Sequence, residues 1–209
     1  RAPLIQRSLR LQSTVVNRIL SPVVGGMTTI KITLPATVAI SNWTVESWVS
    51  LDTTNETGLV LSQIVTNNAG TEVRTNFSLR VTGNRPILEF TTPQGVFCRV
   101  TATNYVIRQD TWTYLAGVYK YNSVTRTGLL TLYVDDQVYQ QTVSGWPSDN
   151  TLTSYNNGSP IGSNTYVGRG LNGYIDEVRL WSSARTAAQL SSNKNSIINT
   201  PETSEPTLL

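Results

Sequence analysis

The 209-residue chain predicts an all-β fold, an antiparallel two-sheet β-sandwich with an extended N-terminal arm and one short C-terminal helix. Three observations predict it. Runs of four to nine residues alternate apolar with polar, the period-two signature of a half-buried strand. Clusters containing Gly, Asn, Asp and Pro punctuate these runs at regular spacing. Charged residues make up only 14% and hydrophobic ones 39%, with Thr, Ser, Asn and Val filling much of the rest, a composition suited to strands and turns.

Residues 1 to about 25 show no clean period and end in Ser21-Pro22-Val23-Val24-Gly25-Gly26, so 1–27 reads as an arm closed by a turn. Ile30-Lys31-Ile32-Thr33-Leu34 alternates. In Trp43 to Val49, period two places Trp43, Val45, Ser47 and Val49 on one face and Glu46 with Trp48 on the other. Leu59–Ile64, Phe77–Val81 and Ile87–Phe90 follow, with turns at Asn67-Asn68-Ala69-Gly70 and Gly83-Asn84-Arg85-Pro86. Thr111 to Tyr119 reads as one long strand. Leu129–Val134 and Gln137–Val143 form a hairpin closed by Asp135-Asp136, which lacks the Gly that a tight hairpin prefers. Residues 144–164 are rich in Ser, Asn, Gly and Pro and read as a long loop. Tyr166-Val167-Gly168 and Gly173–Trp181 give the last strands, and Ser182 and Ser183 are candidate caps of a helix from Ala184 to Leu190. The domain proper is therefore expected over 28–194, with a tail over 195–209.

The chain contains no histidine, which removes the usual general base, the usual zinc ligand and the middle of a Ser-His-Asp triad. Cys98 is the one cysteine, so no intrachain disulfide forms, and its apolar run Gly95-Val96-Phe97-Cys98 predicts a buried thiol. No run of eighteen apolar residues indicates a transmembrane helix. Since the chain begins at Arg1, it is expected to be a processed product or a fragment. Residues 1–45 carry Arg1, Arg7, Arg10, Arg18 and Lys31 and no acid, so the formal +3 comes from a basic arm on a slightly acidic body. Such an arm is either a solvated tail or a device that docks on an acidic partner surface.

Three stretches resemble the laminin-G-like, concanavalin A-like jelly rolls. Trp43-Thr44-Val45-Glu46-Ser47-Trp48-Val49 resembles the early strand F-T-I-E-A-W-V. Thr111–Tyr119 followed by Gly128–Asp136 resembles the pair W-x-H-V-A-x-T-Y and L-x-L-Y-V-N-G. Gly173-Tyr174-Ile175-Asp176-Glu177-Val178-Arg179-Leu180-Trp181 resembles the closing G-x-I-D-E-V-R-I-W. The order matches over roughly 28–193, with Tyr114 in place of the common His and Asp136 in place of the hairpin Gly. The resemblance implies a jelly-roll sandwich. It implies function less closely, because such folds serve as lectins, adhesion modules, enzyme-appended binding domains and virion surface proteins.

Glycoside hydrolysis needs two carboxylates facing one sugar bond. Asp176 and Glu177 are adjacent and Glu46 stands alone on its strand, so no catalytic residue and no enzyme is expected. A Glu177–Arg179 or Glu46–Arg179 pair is expected to be structural. Gly168-Arg169-Gly170-Leu171-Asn172-Gly173 matches G-x-G-x-x-G, yet a strand rather than a helix follows, so these glycines read as a turn. Trp146 with Asp149, Asn150, Tyr155 and Asn156 forms a candidate sugar site, an aromatic face among hydrogen-bonding groups, though Trp146 can equally fold back as a lid on the core. Trp43, Trp48, Trp112 and Trp181 lie on predicted strands and are assigned to packing. Calcium is the one metal considered, at Asp135 and Asp136, against a solvated acidic turn as the alternative. Asn42, Asn55, Asn76 and Asn157 begin glycosylation sequons.

The expectation that follows is a non-catalytic extracellular, cell-surface or virion-type protein that self-associates or binds neighbouring subunits through Arg1, Arg7, Arg10, Arg18 and the tail. The alternative is a glycan-binding or adhesion module using loop 144–164. Nucleic acid is not an expected partner.

Overall fold

A computed structural model describes residues 9–11, 30–32, 42–66, 72–91, 96–144 and 165–196. Their elements are β1 (Leu9–Leu11), β2 (Ile30–Ile32), β3 (Trp43–Leu51), β4 (Thr57–Thr66), β5 (Glu72–Thr82), β6 (Arg85–Thr91), β7 (Phe97–Thr101), β8 (Thr113–Asn122), β9 (Thr127–Val134), β10 (Gln137–Val143), β11 (Thr165–Val167), β12 (Gly173–Trp181) and α1 (Ala187–Asn193). They make two six-stranded sheets, ordered β1-β12-β3-β8-β9-β10 and β2-β11-β4-β5-β6-β7. Every pairing is antiparallel. The predicted sandwich is thus the observed fold.

Alternation drives the layering. Trp43, Val45 and Val49 of β3 enter the core between the sheets with Phe77, Leu79, Leu88, Phe90, Leu115, Tyr119, Leu130 and Leu132. Trp43 touches Phe77, Phe90 and Tyr119, each at 5.8 Å between ring centroids, so one indole joins both sheets. At Gly117 the sheets come so close that a Cβ would lie 2.3 Å from a Leu88 methyl, so any larger residue would have to displace that side chain. Cys98 is a free, buried thiol, pushed up to about 11 by its burial.

Turn chemistry sets the register. Gly83 and Asn84 both take left-handed φ, 55° and 59°, as a two-residue primed turn between β5 and β6 requires. The run from Gly168 to Gly173 is a turn between β11 and β12, with φ of 68° at Gly168 and 81° at Gly170. The hairpin β9–β10 does close at Asp135-Asp136, and Asp135 adopts φ 51° where glycine is customary.

Several elements depart from the sequence reading, among them β7, which runs through a stretch read only as the apolar run around Cys98. Strand β1 lies in the segment read as an arm and pairs with β12, with Arg10 opposite Tyr174; Arg1, Arg7 and Arg18 lie outside the described residues. Strand β8 starts at Thr113, so Trp112 sits on the turn before it. The helix starts three residues later than expected. Its N-cap is Thr186, whose hydroxyl accepts from Gln189 N while Gln189 Oε1 accepts from Thr186 N, a reciprocal capping box. Ser182 and Ser183 cannot cap it, because that segment is laid on β3: Thr44 Oγ1 donates to Ser183 O at 2.8 Å and accepts from Arg185 N at 2.9 Å.

Candidate functional site

The outer face of the first sheet carries two polar clusters, one made by β3, β8 and β12 with the segment around α1, the other by the residues before β8 and the β9–β10 hairpin with the end of α1. The first is closed. Glu46 projects from β3 away from the core and is fully buried. Its Oε2 accepts from Tyr114 Oη and its Oε1 from Trp181 Nε1 at 2.7 Å, and Arg179 lies 3.5 Å from the same Oε1. Arg179 also donates to Glu177, to Asn193 O at 3.0 Å and to Ser196 O at 2.6 Å. Trp48 Nε1 donates to Lys194 O at 2.6 Å. Desolvation, and then the Glu46 charge, raise the Tyr114 pKa, so this phenol stays a proton donor to Glu46.

A β-bulge makes this arrangement possible. Between Asp176 and Arg179, β12 has one more residue than its partner β3, and Glu177 takes φ 50°. The extra residue inverts the alternation, so Ile175 and Leu180, five apart, both enter the core, while Asp176, Arg179 and Trp181 share the outer face. Asp176 Oδ1 accepts from Glu177 N at 2.9 Å and fixes the bulge. The expected Glu177–Arg179 and Glu46–Arg179 contacts are both present.

The second cluster is open. Where α1 ends, a groove of about 610 Å³ runs between the Asp110-Thr111-Trp112 turn and the Asp135-Asp136 hairpin, with Trp48, Lys194 and Asn195 completing its walls. It continues into a smaller depression of about 190 Å³ bounded by Tyr133, Val138, Ala187, Leu190 and Ser191. Asp135, Asp136 and Lys194 line both. The Trp112 ring is half-buried and leans on Tyr174, 6.3 Å between centroids. Asp136 is 97% exposed and lies 3.6 Å from the Lys194 ammonium.

Of the residues expected to form sites, Asp135 and Asp136 do reach this groove, but they differ. Asp135 Oδ1 accepts from Tyr114 N at 2.9 Å and Oδ2 from Tyr105 Oη at 2.7 Å, so its carboxylate serves the hairpin. No group of three His, Cys, Asp or Glu side chains is arranged to hold a metal among the described residues. Trp146, Asp149, Asn150, Tyr155 and Asn156 lie outside the described residues. Sequence reasoning missed Trp112, Asp110, Lys194 and Asn195. The one signal for Trp112 was the polar pair Asp110-Thr111 before it, which marks a turn. Nothing local signals Lys194, which reaches the groove only through the docking of α1. Two sequons also acquire structural explanations: Asn76 is buried and donates to Gln63, and Asn42 accepts from Tyr121 N, whereas Asn55 is exposed.

Two antiparallel sheets packed as a jelly roll make a lectin-like fold. The chain belongs to the laminin-G-like family of the concanavalin A-like lectin/glucanases superfamily, whose profile matches residues 25–191. Among curated proteins none matches the chain. Among solved structures, it is similar to a Bacteroides ovatus protein provisionally designated carbohydrate-binding, at 22% identity and a TM-score of 0.54, over 79% of this chain and 44% of that one. It is similar to the Ruminococcus gnavus IT-sialidase carbohydrate-binding module bound to α2,3-sialyllactose, at 14% identity and 0.52, over 76% and 84%. It is also similar to domain 4 of a Geobacillus stearothermophilus extracellular arabinanase with arabinotriose, at 15% and 0.53, over 89% and 86%. The chain thus spans less than half of the first of these and most of the other two. At such identities these likenesses establish the fold. No helix among the described residues is long and apolar enough to cross a membrane.

Proposed function

We propose that the chain is a non-catalytic glycan-binding module that works at an extracellular surface, and that the groove beside Trp112 is its binding site. The observation that carries this reading is a half-buried indole set across a groove from an exposed carboxylate and an ammonium. Sugars present apolar C–H faces and hydroxyl edges; a ring such as Trp112 stacks on the former, while Asp136, Lys194 and Asn195 hydrogen-bond the latter. The fold and the two carbohydrate-binding neighbours, one with sialyllactose and one with arabinotriose, support this over the assembly reading. An assembly arm would reach a neighbour, whereas its three described residues lie on the chain's own sheet. A hydrolytic reading lacks support because Glu46 is enclosed by Arg179, Trp181 and Tyr114, and Asp135 is bound within its hairpin.

The test is an oligosaccharide array followed by calorimetry on the best ligand. Trp112→Ala is expected to weaken binding about tenfold or more, with a moderate loss of thermal stability because the half-buried ring also packs on Tyr174 and the cluster around Trp48 and Tyr114. Binding that survives this substitution would place the site elsewhere.

A further inference from the structure

We infer that the groove is built for a neutral oligosaccharide of at least two sugar units and discriminates against acidic ones. This rests on the glycan-binding reading and names its ligand class. The lining holds three carboxylates, Asp110, Asp135 and Asp136, against one cation, Lys194. That cation already faces Asp136 at 3.6 Å, so among the described residues no unpaired positive charge lines the groove to receive the carboxylate of a sialic or uronic acid. Asp135 is bound within the hairpin, with its carboxylate beside the groove. An acidic sugar would meet net negative potential at close range, and a neutral one would meet only hydrogen-bonding partners.

The minimum length follows from the shape. The Trp112 compartment of about 610 Å³ and the Tyr133–Val138 compartment of about 190 Å³ are distinct, yet share Asp136 and Lys194. An oligosaccharide with one unit against Trp112 and the next against Tyr133 would pass its linkage over the Asp136–Lys194 contact. There each hydroxyl edge finds both an acceptor and a donor.

The experiment uses the full chain and measures affinities for lactose, xylotriose, arabinotriose and maltotriose against 3′-sialyllactose and trigalacturonic acid. Each is repeated with Trp112→Ala and with the double variant Asp110→Asn, Asp136→Asn. The expected result is binding of one or more neutral sugars, lost with Trp112→Ala, and acidic sugars at least about fivefold weaker. The double variant should narrow that gap, since it removes two of the repelling charges. Tighter binding of an acidic sugar that Trp112→Ala abolishes would overturn the ligand class and leave the site in place. Binding indifferent to Trp112→Ala, or no binding by any sugar, would overturn both.

Discussion

Two ion pairs lie on the same face of the same sheet, each beside a Trp and a Tyr, and they have opposite fates. Glu46 and Arg179 stand 3.5 Å apart with side chains 1% and 5% exposed. Asp136 and Lys194 stand 3.6 Å apart with Asp136 almost wholly in solvent. Separation is nearly equal, so surroundings make the difference. The first pair is covered by α1 and saturated by Tyr114, Trp181 and the carbonyls of Asn193 and Ser196. It fastens the C-terminal segment to the sheet. The second pair lies just past the edge of that cover, where the same residue types are left available to a ligand. The clasp positions the groove, because Lys194 and Asn195 belong to the stretch that Arg179 and Trp48 hold.

Breaking the clasp should have the largest effect. Arg179→Ala leaves the buried Glu46 without its cation and should cost about 3–5 kcal/mol in urea unfolding, and Glu46→Ala should cost less because Arg179 keeps Glu177. The double replacement Glu46→Met, Arg179→Met should cost less than Arg179→Ala, because the one carboxylate left without its cation, Glu177, reaches solvent. If the singles cost no more than a surface pair does, Glu46 and Arg179 are not the fastening that separates the two clusters.

Asp135 sharpens the comparison from the open side. Although it lines the groove, its carboxylate holds Tyr114 N and Tyr105 Oη. Asp135→Ala should destabilise by about 1–3 kcal/mol, whereas Asp136→Ala should leave the unfolding midpoint nearly unchanged. Equal effects would erase the distinction between the two neighbouring acids.

Asp176 lies on the same outer face, at the bulge, and supplies a pH test. Burial, and then the Glu177 charge, raise its pKa above the usual 3.8, despite the favourable bond from Glu177 N. A raised folded pKa means that the fold holds this proton more tightly than the unfolded chain does. Its contribution is therefore fully present below 3.8 and is lost as pH rises through the folded value. Asp176→Asn should accordingly be the more stable protein at pH 7, with the difference closing as pH falls towards 3.8. Thermal unfolding of both proteins from pH 3 to 7 would measure it, and a difference that widens on acidification would reverse the sign. The smallest stability effect is expected for Lys194→Met, whose partner is solvated, though it should alter sugar binding.

Alternation along single strands was enough to predict the sandwich, the shared face of Trp43, Val45 and Val49, the opposite face of Glu46 and Trp48, and the hairpin at Asp135-Asp136. These follow from the pleat, which is local and has a fixed period. The absence of histidine and of paired carboxylates on one strand bounded the chemistry in the same local way. The bulge is half-legible: apolar residues at 175, 178 and 180 already break period two. The start of α1 was legible in Thr186-x-x-Gln189 once a capping box was sought. What the sequence could not decide was which polar residues would meet. Trp112 moved from the expected core to the groove wall because β8 begins two residues later, and Lys194 joined Asp136, 58 positions away, only because the helix docks there. Period and turn chemistry act between neighbours in the chain, but a binding groove is the space left between elements distant in sequence. Tertiary packing alone determines that space.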